Sequence, residues 1–536
     1  MIARAESRAD LILTGGVVFT GNPRQARAEA LAVRGNRIVA VGSAAGLAPL
    51  SGKGTRVVDL AGRFACAGFN DAHTHMLMGG LARSHADLRG APSRREFIDR
   101  LRAVEAALPA GAWLRGFGWD QGALGEWPHR DWLDEAFPAR PVWLMRIDTH
   151  TGLASTAALS AAGLGEQSAD PDGGELVRSA GGRLTGILKE RAAERVHAAV
   201  PEPTVAERRG ALEAVLKELR AWGVTSVHDL SGSAALETLE ELRVEGRLTV
   251  RVSAWTPLGT DLAEAIALRE RFPAGDPVLR CATLKGFVDG TLGAATAALI
   301  EPYADGSGSR GEFQWDEPTL AALVRRGHQA GFQITLHAIG DAALRRALGA
   351  FDGLGAGART RRHRIEHVEV AAPGDLPRMA RLGLIASMQP SQLISDQALL
   401  ASRLGPARLA RCFPWRELFD QGVLVVFGTD WPVEPFSPMR TLRGAVAPPQ
   451  DGAAGHWRAG RNLTLWEALS AMTLWPAHAS FEEEIKGTLQ AGRLADIVVL
   501  SGDPFAVEPD TLESLSVDLT VFDGRIVFAR ENGAAA

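Results

Sequence analysis

Phe64-Ala-Cys-Ala-Gly-Phe-Asn-Asp-Ala-His-Thr-His-Met76 is an apolar run that ends in two histidines two residues apart. On a β-strand, positions i and i+2 point to the same side, so His73 and His75 can present both imidazoles to one small target. A metal ion is one such target, and two histidines falling by chance near a strand end is the other reading. What the remaining chain brings to that strand end decides between them.

Outward from this run, seven more short apolar segments end in polar or glycine-bearing turns: 224–229, 249–255, 281–288, 333–338, 363–368, 384–389 and 423–430. They alternate with helical stretches, which is the pattern of parallel β/α units. Eight such strands close a (β/α)8 TIM barrel, so the expected class is α/β. About 150 residues separate the first strand (64–72) from the second, which calls for a large insertion after strand 1. Helices are expected at 94–108 and 204–222, with a further strand at 141–147. Both chain ends read as short strands, with hairpin turns at Gly35-Asn36 and Asp523-Gly524, and neither is long enough to close a sheet alone. A small β-sandwich built from both ends follows. The expected organisation is 1–62 and 481–536 as the two parts of that sandwich and 63–480 as the barrel, with 90–222 as an inserted subdomain or lid.

The 536 residues carry a net charge of −5, with 46% hydrophobic and 23% charged residues. That is ordinary for a globular protein, and no basic stripe suited to phosphate backbones appears. A small-molecule substrate is the expected partner, with no nucleic acid and no membrane; a homodimer would be compatible with the peripheral sandwich, but no stretch argues for an interface. The first residues lack the apolar core of a signal peptide, and no window is long enough to span a membrane. Three widely spaced cysteines, Cys66, Cys281 and Cys412, agree with a reducing, cytoplasmic setting.

Functional side chains in such barrels gather at the C-terminal ends of strands, and the conspicuous polar residues fall there: His73 and His75, Lys285, His337, His367 and Asp430. A lysine inside Leu284-Lys-Gly-Phe-Val288 is costly to bury unless it is paired or neutral. It either pairs with Asp289 or stays neutral; a neutral amine can take up carbon dioxide, and the resulting carbamate is an anionic ligand able to bridge two cations. His228, at the end of strand two, either contacts substrate, supports the site from behind its ligands, or caps the strand. The tryptophans Trp113, Trp119, Trp127, Trp132 and Trp143 crowd into the insertion. Most large aromatics serve to bury area. If the insertion covers the barrel mouth, Trp119 and Trp431 are placed to form an apolar wall.

Taken together, Asp71-Ala-His-Thr-His75, His337-Ala-Ile-Gly-Asp341, Arg364-Ile-Glu-His367 and Gly428-Thr-Asp-Trp-Pro432 resemble the metal-dependent amidohydrolase superfamily. Leu284-Lys-Gly-Phe-Val-Asp-Gly-Thr-Leu-Gly293, Gly118-Trp-Asp-Gln121, Asp148-Thr-His-Thr-Gly152 and the closing segment from Gly487 to Leu500 resemble its amidohydrolase family 3 branch, YtcJ-like and including N-substituted formamide deformylases. That resemblance implies one metal on His73, His75 and Asp430, a second on His337 and His367, and a carboxylated Lys285 between them. Zinc is the default occupant, with manganese, iron, cobalt and nickel compatible with the same donors. It further implies attack by a metal-bound hydroxide on a non-peptide C–N bond, in a formamide, N-acyl compound or carbamate, with Asp430 as general acid/base. Trp119, His150, His228 and Asp289 are the expected substrate contacts, and Gln392 stands near a position that relatives often give to histidine. A cyclic amide, ester or lactone hydrolase would use the same metals, while a non-catalytic scaffold would be expected to have lost some of the six ligands.

Overall fold

The computed structural model describes residues 8–109, 111–448 and 460–530. His456 and the Gly/Ala-rich tail at 532–536 lie outside the described residues. Eight parallel strands run in sequence around one sheet: β1 Phe69–Thr74, β2 Val224–Leu230, β3 Arg251–Pro257, β4 Leu279–Phe287, β5 Gln333–Ala338, β6 Arg364–His367, β7 Ile385–Met388 and β8 Val425–Phe427. A parallel bridge from Thr74 to Trp431 joins the last strand's extension back to β1, and the Asp430 amide donates to the His73 carbonyl at 2.8 Å. The sheet is thus a nearly closed barrel, its first and last strands joined at the rim. These strands read as near-continuous apolar runs because helices cover one face and the barrel interior the other.

The apolar run that opened the reading splits in two. Phe64–Ala67 belongs to a different sheet, and only Phe69–Thr74 is a barrel strand. Gly68 marks the break, where a Cβ would fall 2.2 Å from the Thr225 hydroxyl, so the chain can cross β2 only without a side chain.

Phe64–Ala67 pairs with Val17–Phe19 on one side and Ile497–Leu500 on the other, in a six-stranded sheet that draws on both chain ends. A four-stranded sheet from residues 11–59 shares an apolar cluster with it, including Leu11, Val33, Ile497 and Val521. The two hairpins expected from sequence touch each other: Gly524 has a φ of +79° and its missing Cβ would lie 2.0 Å from the Gly35 carbonyl. Between β1 and β2, residues 86–190 form a separate six-stranded sheet with its own apolar core of Phe97, Leu101, Trp119, Trp132, Leu144 and neighbours. Its helix Arg94–Glu105 starts at Ser93, whose hydroxyl accepts from the Glu96 amide, a standard N-terminal cap. Among the described residues no helix is long and apolar enough to cross a membrane.

Candidate active site

Parallel strands bring their C-terminal ends to one rim, and there five of the eight strands bring the six residues together. A cavity of about 660 Å³ at that rim is lined by His73, His75, Lys285, His337, His367 and Asp430 together. His73, His75 and Asp430 offer nitrogen and oxygen atoms within 4.8 Å of one another. Nε2 of His75 lies 3.1 Å, and Nε2 of His73 3.4 Å, from Asp430 Oδ1. The imidazoles continue round the rim, with ring centres of His73 and His367 5.1 Å apart and those of His337 and His367 4.4 Å apart.

Two of these residues hold unusual backbone. Asp430 has a φ of +58° and His367 of +75°, a region that non-glycine residues rarely occupy and that persists only where surroundings enforce it. For Asp430 the enforcement is visible: its neighbour Thr429 is clamped by Asp71, which accepts from the Thr429 amide at 2.9 Å and its hydroxyl at 2.6 Å. Burial pushes the Asp71 carboxyl up to about 7, against those same hydrogen bonds.

Electrostatics prepare the set for a cation. Burial pushes His73 down to about 4, and holds His337 and His367 well below the usual imidazole range, so all three are neutral ligands at neutral pH. Burial would raise Asp430, but the imidazoles of His73, His75 and His367 outweigh it and keep the carboxylate ionised. The Lys285 amine is buried beside the faces of Phe287 and Trp255, 5.0 and 5.7 Å from their ring centres. Its Nζ has no hydrogen-bond partner, and burial drives it down to about 8 despite the nearby carboxylates of Glu366 and Asp430. An orphaned buried amine is expensive as an ammonium, so this one is poised to lose its proton. His367 Nδ1 is likewise buried without a partner. Nitrogen and carboxylate donors with unspent capacity, turned to one cavity, fit a divalent metal.

Beneath the rim lies a floor built on Glu366 and Arg364, to which sequence reading assigned no role. Glu366 accepts from His73 Nδ1 at 2.7 Å, which directs His73 Nε2 toward Asp430 and the cavity. The same carboxylate takes Arg364 Nε at 2.9 Å and the Thr335 hydroxyl, and all these groups are fully buried. Arg364 in turn donates to the Ala72 carbonyl at 2.8 Å and the Ser387 hydroxyl at 2.9 Å. The available signal was Arg364-x-Glu366: two opposite charges sharing one face of a strand in an apolar barrel.

Of the expected substrate contacts, only His150 lines the cavity. Its Nδ1 faces Glu190 Oε2 at 2.8 Å; burial would lower its pKa, but Glu190 overrides that and raises it to about 9, so the ring is cationic at neutral pH. Three expectations are corrected. Trp119 is fully buried in the insertion's own core, its indole nitrogen donating to the Leu144 carbonyl at 3.0 Å, because its strand turns that side chain inward. His228 sits in the floor, its Nδ1 accepting from Arg364 at 2.6 Å, and does not line the cavity. Asp289 spends its carboxylate on the amides of Ala298, Ile339 and Gly340, at 2.8–3.1 Å, with His337 Nε2 3.6 Å from its Oδ1, and it does not line the cavity. Trp431 stacks on Phe436, ring centres 4.5 Å apart, away from the cavity. The apolar wall is instead Met78, Met145, Leu230, Leu258, Phe287 and Trp315. Gln392 reaches the site directly, its Nε2 lying 3.3 Å from Asp430 Oδ2.

A barrel whose rim collects histidines, a lysine and an aspartate in this order defines a class, the metal-dependent hydrolases, and comparison with known proteins agrees. The model of an amidohydrolase family matches residues 56–528, and the chain belongs to that family. It is 34% identical to Protein LONG AFTER FAR-RED 3 of Arabidopsis thaliana, over 92% of this chain and 87% of that one. It is 28% identical to the N-substituted formamide deformylase of Arthrobacter pascens, over 97% and 98%. Among solved structures, an uncharacterized metal-dependent hydrolase from Pyrococcus horikoshii OT3 superposes with a TM-score of 0.76 at 29% identity, covering 93% of this chain and 99% of that one.

Proposed function

We propose that this protein hydrolyses a non-peptide C–N bond, in a formamide, N-acyl amine or carbamate, of a small molecule with an apolar part. The observation that carries the reading is the convergence of six side chains, spread from position 73 to position 430, on the wall of one cavity. In this reading His73, His75 and Asp430 would hold one divalent cation and His337 and His367 a second, with Lys285, as a carbamate, supplying a further anionic ligand. Lys285 becomes that ligand by forming an N–C bond to carbon dioxide and giving up one proton, a step its depressed pKa favours. Zinc is the expected metal, and when bound it would polarise the scissile carbonyl and lower the pKa of the attacking water.

The chain's own residues do the rest. Asp430, ionised and flanked by His75 and Gln392, accepts the proton of the attacking water and returns it to the leaving nitrogen. His150, cationic and held by Glu190, turns its second nitrogen to the cavity and donates to an oxygen of the substrate. Met145, His150 and Glu190 come from the insertion, which therefore acts as the lid over the apolar wall and keeps water out. The relative whose name records deformylation of N-substituted formamides supports this bond type. We place the activity in the cytoplasm.

The test is metal analysis of the purified protein, then a screen of formamides, N-acyl amines, carbamates, lactams and esters before and after chelation. Near-stoichiometric metal and chelator-sensitive, metal-restored amide cleavage are expected, with intact-protein mass showing one added carbon dioxide that is absent in Lys285→Ala. A folded protein that takes up no metal overturns the reading.

A further inference from the structure

The cavity at the metal centre is one of two. A second space of about 720 Å³ shares His150, His337, His367 and Asp430 with the first, so the two meet at the reacting centre. Their walls differ in kind. The first has a wall of methionine, leucine and aromatic side chains with Glu190, Arg191 and Glu194 at its margin, whereas the second is lined by five carboxylates, Asp120, Asp148, Glu369, Asp396 and Glu434, against the arginines Arg89, Arg146 and Arg403.

Most charges in that second wall are already matched. Arg146 binds Asp120 at 2.6 Å and Asp148 at 2.7 Å, and Glu434 meets Arg440 at 3.2 Å. Arg403 is spent on Asp305 at 2.6 Å and on the Gly293 carbonyl. Glu369 and Asp396 are the exceptions. Glu369 is only 5% exposed, lines this cavity, and its carboxylate makes no hydrogen bond or ion pair among the described residues. Asp396, half-buried, projects from the helix Pro390–Leu404, one turn beyond Gln392, and lines the same cavity; Arg146, which also lines it, is held by Asp120 and Asp148. A buried carboxylate that faces a cavity and accepts from no donor is costly, and the cost is relieved by a ligand that supplies one.

We propose that the second cavity seats a cationic group of the substrate, an alkylammonium or guanidinium, between Glu369 and Asp396, while the apolar part occupies the first. The substrate is then a bipolar amide whose scissile bond lies between an apolar end and a positive end. This refinement rests on the hydrolase reading only for the bond that is cut; the seat itself is a matter of binding.

The experiment uses n-hexylguanidinium and 1-hexanol as probes, with calorimetric titration of the full-length protein both stripped of metal and reloaded. The cation is expected to bind at least about tenfold more tightly than the alcohol, as for a charge meeting a buried opposite charge. Glu369→Gln and Asp396→Asn should each remove most of that preference and leave alcohol binding unchanged. Both variants relieve like-charge repulsion, so a urea midpoint no lower than the parent's serves as the folding control. In a second arm, amides matched except for a terminal guanidinium or a terminal methyl are compared by kcat/KM. Cation binding that the variants abolish, with no amide turned over, upholds the seat and removes the hydrolase reading. Amide turnover with no preference for the cationic partner, or a preference that survives both substitutions, overturns the seat and leaves hydrolysis standing.

Discussion

Glu366→Gln offers the sharpest test of the idea that the floor beneath the rim positions the metal ligands. The carboxylate is fully buried and serves three donors: the His73 ring at 2.7 Å, the Arg364 guanidinium at 2.9 and 3.3 Å, and the Thr335 hydroxyl. Burial would raise its pKa, but Arg364 and then His73 outweigh that and hold it well below the usual carboxylate range. A glutamine keeps one acceptor oxygen, removes the charge, and turns an amide donor toward a group that itself donates. Arg364 is then a buried cation without its partner, and removing one member of such a pair costs about 3–5 kcal/mol. His73 also loses the acceptor that directs its Nε2 to the cavity, and loss of such a partner weakens metal affinity by about 10–100-fold. Urea unfolding of metal-stripped protein reads the first effect, and competition with a chelator of known affinity reads the second. A destabilisation under about 1 kcal/mol with unchanged metal affinity would refute the argument, since an uncompensated buried guanidinium cannot be that cheap.

Three further outcomes are expected. Trp119→Ala should cost about 3–5 kcal/mol in urea unfolding, as large core truncations do, with selectivity between apolar and polar amides unchanged, because Trp119 packs inside the insertion. Arg251→Met should destabilise by a similar about 3–5 kcal/mol, because Asp496, 2.6 Å away in the turn leading to the C-terminal strands, would be left as a buried anion; adding Asp496→Leu should recover much of the loss, read by a double-mutant cycle. His85 and His363 are each pushed down to about 3 by burial, and His363 Nδ1 already accepts from the Ile334 amide. On acidification the unfolded chain protonates both near pH 6.5 while the folded chain resists until about pH 3, so stability falls through that window. The loss at pH 5 should be about 2 kcal/mol for each histidine. Equal urea midpoints for metal-stripped protein at pH 7 and pH 5 would contradict it.

The strand positions, the two glycine-bearing hairpins and the six rim residues were legible in the chain. Each rests on a short-range regularity: side-chain alternation along a strand, turn chemistry, and the rule that parallel strands end together at one rim. Even there the limit showed at Gly68, since an apolar run continues unbroken through two strands of different sheets when both are buried. Which indole faces the cavity was not legible. Trp119 and Trp315 are equally apolar in sequence, and only the tertiary packing buries the first inside the insertion's own core and turns the second to the ligand space.

The same division holds for the polar groups. Lys285 announced itself because an amine in an apolar strand is costly wherever that strand lies. Asp289, His228 and Glu366 did not, because their roles depend on partners far along the chain: the Gly340 amide for Asp289, Arg364 for His228, and His73 for Glu366. The residue types and their local spacing determined which chemistry the chain could support. Only the tertiary structure decided which hydrogen-bonding capacity is spent inside the protein and which is left facing a ligand, because that follows from distances between segments hundreds of residues apart.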